Sequence, residues 1–220
     1  MIYIRSIQFV AILILFIIIT FLVHFRFLQS VDYYIFNTID KFNPDQYLRY
    51  SLVIIASLGE VINLIFVGII FTLIRRTRKM GMVLMITIML ITIAVSYMKP
   101  LVAQSKPPES QRLPVLPQGF NLESDSLMTF ARDFSYPSNH TSSITAFTYI
   151  VGSIIGQKSK KYSYIIWMLP LMLTLSNLLL ELNYLNDLIG GFLLGLIISI
   201  TTSNILKLDV PFTMNKFKNK

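Results

Sequence analysis

Six long apolar segments dominate this chain of 220 residues. A membrane's hydrocarbon core is about 30 Å thick, and a helix needs roughly 20 apolar residues to cross it. Segments of this kind cover residues 7–25, 52–74, 80–98, 140–156, 162–182 and 185–206. Charged residues make up only 14% of the chain, against roughly 25% in soluble domains. Because lipid offers backbone groups no hydrogen-bond partners, the pattern predicts an all-α integral membrane protein, a single domain with six transmembrane helices.

The basic residues lie mainly in one set of the loops that join these segments. They fall before the first segment, between the second and third, between the fourth and fifth, and after the sixth: Arg5, Arg75, Arg76, Arg78, Lys79, Lys158, Lys160, Lys161, Lys207, Lys216, Lys218 and Lys220. Acids and bases are balanced in the loops on the other side. Because basic loops stay on the cytoplasmic side, the pattern predicts two cytoplasmic termini and a basic tail over residues 207–220. The net charge of +8 therefore indicates orientation, and nucleic acid is excluded as a partner.

The two predicted outer loops differ in character. In residues 31–50, apolar side chains near helical spacing predict a short amphipathic helix that lies on the membrane interface. The loop over residues 100–137 is rich in proline, and Pro107, Pro108 and Pro114 prevent a continuous helix. A loop of this length in a small protein usually has a function or covers a site.

Polar residues near the ends of several segments are predicted to meet at the outer face of the membrane. Lys99 ends the third segment and Lys106 follows it, while residues 138–143 open the fourth. Asn183 and Asp187 lie four residues apart at the start of the sixth segment, so they share one helix face. Lysines and the free N–H groups of a helix start favour an anion. We therefore expect a pocket for the phosphate of a membrane phospholipid or lipid phosphate, with the lipid tails among the helices.

These stretches resemble the three motifs of the type 2 phosphatidic acid phosphatases, the PAP2 superfamily. The family motifs read K-x6-R-P, P-S-G-H and S-R-x5-H-x3-D, and the corresponding stretches here are residues 99–107, 137–143 and 176–187. The resemblance covers most of the chain beyond the first segment. It implies a PAP2/haloperoxidase-like helical bundle whose site faces the outer side of the membrane. The composition, rich in Ile, Lys, Asn and Phe, and the absence of cysteine favour a bacterial plasma membrane, and neither a metal nor a cofactor is expected.

The resemblance assigns phosphate contacts to four residues of this chain. Lys99 and Lys106 would hold phosphate oxygens, although Lys106 replaces an arginine and so loses bidentate geometry. Ser138 and the backbone N–H of Asn139 would contact the same phosphate. Asn139 stands where the family has glycine, so its side chain is expected to narrow the pocket or strain the turn.

The third motif departs from the family in a way that changes its chemistry. The resemblance implies that His140 donates a proton to the leaving lipid oxygen and that Asp187 orients an attacking histidine. At the position of that histidine the chain has Asn183, and Asn177 replaces a phosphate-binding arginine. The family reaction passes through a phosphohistidine, and an amide cannot act as that nucleophile. We interpret the remaining histidine, His24, as an interfacial or packing residue, and ordinary phosphatase turnover is expected to be lost.

Three functions follow from these residues. The first is binding of a phospholipid or lipid phosphate without phosphatase chemistry, alone or with a second protein that supplies catalytic groups. A specific form, suggested by degenerate relatives, is the membrane subunit of Gram-positive lipoprotein N-acylation, a lipid acyl transfer. The second is an active phosphatase of phosphatidate, phosphatidylglycerol phosphate or undecaprenyl pyrophosphate, in which His140 or an activated water takes the place of the missing imidazole. A contact between Asp187 and His140 would poise the imidazole as a base. The third is a structural membrane protein whose motifs are relics.

Overall fold

Helices joined by short turns make up the described part of the protein, which comprises residues 2–42, 44–108, 114 and 128–208 of a computed structural model. No strand occurs among these residues. The helices are α1 (Ile7–His24), α2 (Gln29–Ile39), α3 (Gln46–Ser57), α4 (Val61–Leu73), α5 (Arg78–Val102), α6 (Asn139–Lys158), α7 (Lys160–Ile166), α8 (Met168–Leu179) and α9 (Leu185–Ile205), with a short 3-10 turn at Thr129–Ala131. The predicted all-helical class is thus confirmed for the described residues. The predicted basic tail and much of the long loop lie largely outside these residues.

Several of these helices are long and apolar enough to cross a membrane. Among the described residues, α1, α5, the continuous stretch Lys160–Leu179 and α9 meet this condition individually. The helices α3 and α4 meet it only as a pair, and their axes are bent by 55°. Helix α6 has 20 residues but falls outside the group, because serine and threonine interrupt its apolar sequence. Length and composition therefore support four spans, or five with the bent pair.

The bend between α3 and α4 lies inside the predicted segment 52–74. Gly59 is buried at the break, and a Cβ atom added there would lie 2.9 Å from the backbone oxygen of His140. The same added atom would lie 2.6 Å from Cδ1 of Leu173. Only glycine allows this approach, so the corner between α3 and α4 packs directly against the first turn of α6.

Helices α6 and α9 form the centre of the bundle, with α5 and α8 packed around them. At Gly191 of α9, an added Cβ atom would meet the backbone oxygen of Ser138 at 2.5 Å, so the two helices approach closely near the start of α6. The apolar core below this contact includes Leu84, Ile88, Ile150, Leu173 and Ile200. Most of α1 is exposed, as expected for a helix that faces lipid.

Candidate functional site

Helix α5 delivers Lys99 to the interior of the bundle. Its side chain is completely buried, and its backbone oxygen accepts the N–H of Ala103, which ends the helix in the left-handed conformation at φ 57°. A buried ammonium group is costly unless an anion compensates it. Lys99 lies close enough to the carboxylate of Asp187 for the two charges to interact. The structure thus brings together two of the residues that the motifs predicted.

The start of α6 supplies the second motif. Ser138 is the residue that precedes the helix, and its Oγ accepts the backbone N–H of Thr141 at 3.4 Å. The N–H of Ser138 donates to the backbone oxygen of Asp187 at 3.0 Å, which ties the start of α6 to the start of α9. Asn139 and His140 occupy the first turn of α6, and both side chains are buried. Their backbone N–H groups belong to the end of the helix that attracts anions.

Asn183 lies beside this helix start. Its side-chain oxygen accepts the hydroxyl of Ser138 at 3.5 Å. The residue at the position of the family nucleophile is therefore next to the residue predicted to hold phosphate, as the alignment of the third motif requires. Asn177 is buried on α8, and its Nδ2 has no hydrogen-bond partner among the described residues. A buried N–H group that lacks an acceptor can donate a hydrogen bond to a ligand oxygen or to a water molecule.

The Asp187 carboxylate is completely buried and binds two donors. One oxygen accepts the backbone N–H of Tyr184 at 2.9 Å, an interaction that stabilises the first turn of α9. The other oxygen accepts the hydroxyl of Ser135 at 3.1 Å. The N–H of Ser135 in turn donates to the backbone oxygen of Gln104 at 2.9 Å, so the carboxylate is linked to the chain that leaves α5. Sequence reasoning missed Ser135, whose only signal is its place three residues before Ser138.

Lys106 occupies the edge of this arrangement. The preceding residue, Ser105, pairs with Phe134 in an isolated antiparallel bridge, which holds the chain after α5 against the chain before α6. Lys106 itself is half-buried and makes no hydrogen bond to the described residues of the cluster. The structure therefore brings together Lys99, Ser138, Asn183 and Asp187, and we call these four residues, with Asn139, His140 and Asn177, the motif cluster. Lys106 follows Ser105 on the chain that leaves α5, and its role as a phosphate contact stays a prediction.

Asp32 is a second residue that the sequence analysis missed. It lies on α2 with 3% of its surface exposed, although it belongs to the segment predicted to rest on the membrane interface. Its carboxylate accepts the backbone N–H of Asn186 at 3.2 Å and Nε2 of Gln104 at 3.2 Å. Burial raises the pKa of this carboxyl, while its hydrogen bonds to Asn186 and Gln104 act in the opposite direction. Asp32 thus fixes α2 to the start of α9, which carries Asp187, and to the chain leaving α5, whose Gln104 accepts the N–H of Ser135.

His24 stands apart from the motif cluster. It is exposed at the end of α1, and its Nδ1 lies 3.4 Å from the backbone oxygen of Val102. The cluster as a whole has one buried ammonium group, one buried carboxylate, a helix start, three amide side chains and the imidazole of His140. This set can bind an anion and donate a proton, but Asn183 provides no covalent nucleophile.

Comparisons with known proteins identify a family from one family model and a fold from one solved structure. The model of the PAP2 superfamily matches residues 78–209, which is more than half of the chain and runs from α5 to beyond the end of α9. A solved structure, a transmembrane PAP2-type phosphatidylglycerolphosphate phosphatase from Bacillus subtilis, superposes with a TM-score of 0.72 at 19% identity. The match covers 94% of this chain and 100% of that one. The comparison with curated proteins gives no match. At this level of identity the structural match shows a shared fold.

Proposed function

This chain belongs to the PAP2 superfamily, and we propose that it binds the phosphate of a membrane phospholipid or lipid phosphate without carrying out the phosphohistidine reaction. The motif cluster is the binding site. Lys99 and the N–H groups at the start of α6 would contact the phosphate oxygens, and Asn177 would donate from its unpaired Nδ2. The lipid tails would then lie along the apolar core between α5, α6 and α9.

The topology that we propose has six spans, with both termini in the cytoplasm. Helices α1, α5 and α9 would each cross once, as would the bent pair α3–α4, helix α6 and the continuous stretch Lys160–Leu179. The motif cluster then faces the outer side of a bacterial plasma membrane. This arrangement is supported by the basic residues, which concentrate in the loops at the opposite end of the bundle.

One observation carries the proposal that covalent chemistry is lost. Asn183 lies at the position of the nucleophile, with its side-chain oxygen bound to Ser138, and an amide is neither basic nor nucleophilic. The neighbouring carboxylate that would support a histidine at this position is present. Asp187 is fixed by Tyr184 and Ser135, and Lys99 is buried beside it.

The deciding experiment measures phosphate release from phosphatidylglycerol phosphate and phosphatidate by the purified protein and by Asn183→His. We expect the unchanged protein to release no more phosphate than its His140→Ala variant, and we expect Asn183→His to gain activity. Asn183→Gln is the matched control, since it keeps an amide and adds one methylene group. Phosphate release by the unchanged protein that is abolished in His140→Ala would contradict the proposal.

That contradicting result would instead support a second candidate, an active lipid phosphatase. The solved relative with the same fold is named as a phosphatidylglycerolphosphate phosphatase, which favours this candidate. Here a water molecule would attack phosphorus, with His140 as the proton-transferring group. The substrate would be phosphatidate, phosphatidylglycerol phosphate or undecaprenyl pyrophosphate.

A role in lipid acyl transfer is the more specific form of the first proposal. In it, the motif cluster would hold the lipid and a second protein would supply the catalytic groups, as in lipoprotein N-acylation. Deletion of the gene would then change the mass of lipoprotein amino termini, and Lys99→Ala would do the same. A purely structural protein predicts instead that Lys99→Ala, His140→Ala and Asp187→Ala leave both the mass spectra and growth unchanged.

A further inference from the structure

A separate cavity of about 100 Å³ lies next to the motif cluster, between the end of α1, helix α2 and the chain that leaves α5. Its polar wall includes His24, Arg26, Asp32, Tyr33, Gln104 and Tyr184. None of the residues of the motif cluster lines it. The cavity is therefore a second polar compartment, and the proposed function gives it no role.

The wall of this cavity contains a carboxylate that forms no salt bridge with a described residue. Asp32 is almost fully buried, and the donors that it binds, Asn186 and Gln104, are both neutral. The carboxylate of Asp187 is close enough to add to the negative potential. A buried carboxylate without a cationic partner is unfavourable, so a cation that enters the cavity would be attracted to it.

Other groups in the wall favour the same kind of ligand. The rings of Tyr33 and Tyr184 meet edge to face, with centroids 5.8 Å apart, and aromatic faces attract ammonium groups. Burial raises the pKa of the Tyr184 phenol, so this group stays neutral. Gln104 uses Nε2 to bind Asp32, and its Oε1 is buried with no donor within the described part of the chain. That oxygen can accept a hydrogen bond from a primary ammonium group.

Arg26 adds a positive charge to the same cavity. Its side chain is exposed, and its backbone has φ 62°, in the left-handed region, where the chain turns from α1 towards α2. A ligand with an ammonium group near Asp32 and an anionic group near Arg26 would match both charges. The cavity lies where α1 and α5 end, and both helices have the length and composition of membrane spans, which is the level of lipid headgroups.

We propose that this cavity binds the headgroup of an aminophospholipid such as phosphatidylethanolamine, with the primary ammonium group against Asp32 and the phosphate against Arg26. The volume suits an aminoethyl group and leaves the acyl chains outside, along the exposed surface of α1. The proposal does not rest on the proposed function, because no residue of the motif cluster lines the cavity.

The test compares two short-chain lipids that differ only in the headgroup. Dihexanoyl-phosphatidylethanolamine and dihexanoyl-phosphatidylglycerol are titrated into the purified full chain in detergent, with isothermal calorimetry as the readout. The unchanged protein should bind the ethanolamine lipid about tenfold more tightly than the glycerol lipid. Asp32→Asn should remove this preference, while Asp40→Asn, at the exposed end of α2, should keep it. Asp32→Asn preserves the size of the side chain. The Gln104 amide can rotate so that its Oε1 accepts a hydrogen bond from the new asparagine, so the variant keeps a hydrogen bond at this position.

Arg26→Gln provides a second test that does not disturb a buried group. Arg26→Gln should bind the ethanolamine lipid less tightly than the unchanged protein does. Asp32→Asn should bind free phosphoethanolamine less tightly than the unchanged protein does, because it loses the contact with the ammonium group. Equal affinity of the unchanged protein for the two lipids overturns the proposal. So does a preference for ethanolamine that survives Asp32→Asn. If phosphoethanolamine binds as tightly as the lipid, the occupant is a soluble molecule and the assignment to a lipid is wrong.

Discussion

At Asn183, a single amide replaces the group on which the family's covalent chemistry depends. The resemblance located this position from sequence alone, because the third motif fixes its spacing to Asp187. The predicted shared helix face is wrong, since α9 begins only at Leu185 and Asn183 lies in the turn before it. The structure adds that its oxygen accepts the hydroxyl of Ser138. Ser135 and Asp32 could not be predicted in this way. Asp32 binds the N–H of a residue 154 positions away, and no local pattern in a sequence indicates such a contact.

Asp187→Asn tests how much the buried carboxylate stabilises the fold. The substituted amide has one acceptor oxygen for the two donors Tyr184 and Ser135, so one donor loses its partner. We expect the free energy of unfolding to fall by about 1–3 kcal/mol, measured by thermal unfolding in detergent. Asp45→Asn is the control, since Asp45 also accepts a helical N–H, from Leu48, but is exposed. Equal effects of the two substitutions would contradict the expectation.

Asp32 should make stability depend on pH. Burial raises the pKa of Asp32 in the folded protein, so the folded state keeps this proton to higher pH than the unfolded state. The resulting stabilisation is complete below the ordinary carboxyl pKa of 3.8 and is lost as the pH rises through the folded value. Asp32→Asn cannot ionise. Its stability relative to the unchanged protein should therefore increase from acidic to neutral pH.

Thermal unfolding of both proteins across that pH range checks this expectation. Asp40→Asn, which removes an exposed carboxylate from the end of the same helix, controls for the change in net charge. A constant difference in stability between Asp32→Asn and the unchanged protein at every pH would show that the ionisation of Asp32 is not coupled to folding.

The helices illustrate which features a sequence can predict and which it cannot. Hydropathy located α1, α5 and α9, because a continuous apolar run of sufficient length is a local property. The amphipathic pattern placed a helix in residues 31–50, and α2 occupies Gln29–Ile39. The bend between α3 and α4 has no comparable signal. It depends on Gly59 meeting the backbone of His140, a contact between distant segments.

Gly59→Ala should therefore disturb the start of α6. The new methyl group would be too close to the backbone oxygen of His140, which cannot move without shifting the first turn of that helix. We expect a loss of about 2 kcal/mol in the free energy of unfolding, measured in detergent. Gly152→Ala is the matched control within α6, where the nearest atoms to an added Cβ lie at 3.7 Å. That substitution should be neutral or slightly stabilising, since alanine favours a helix.

For the molecule as a whole, the charge pattern predicts an orientation that chemical labelling can test. The chain has no cysteine, so a single introduced thiol reacts without background. Lys41→Cys and Arg76→Cys place that thiol at exposed positions in two loops that the proposed topology assigns to opposite sides. A membrane-impermeant maleimide should label Lys41→Cys in intact cells and Arg76→Cys only after lysis. The reverse result would invert the topology and move the motif cluster to the cytoplasmic side.

The hydrogen bond between Asp32 and Asn186 also sets the order in which parts of this protein can pack during synthesis. A ribosome completes α2 long before it reaches α9, so during synthesis the carboxylate of Asp32 has no amide to receive it. Gln104, the other hydrogen-bond donor to Asp32, is synthesised earlier, but its hydrogen bond does not attach α2 to α9. Until α9 is inserted into the membrane, α2 therefore lies at the surface without its contact to α9. Substitutions in the first turn of α9 should therefore make the amino-terminal half of newly synthesised chains more accessible to membrane proteases.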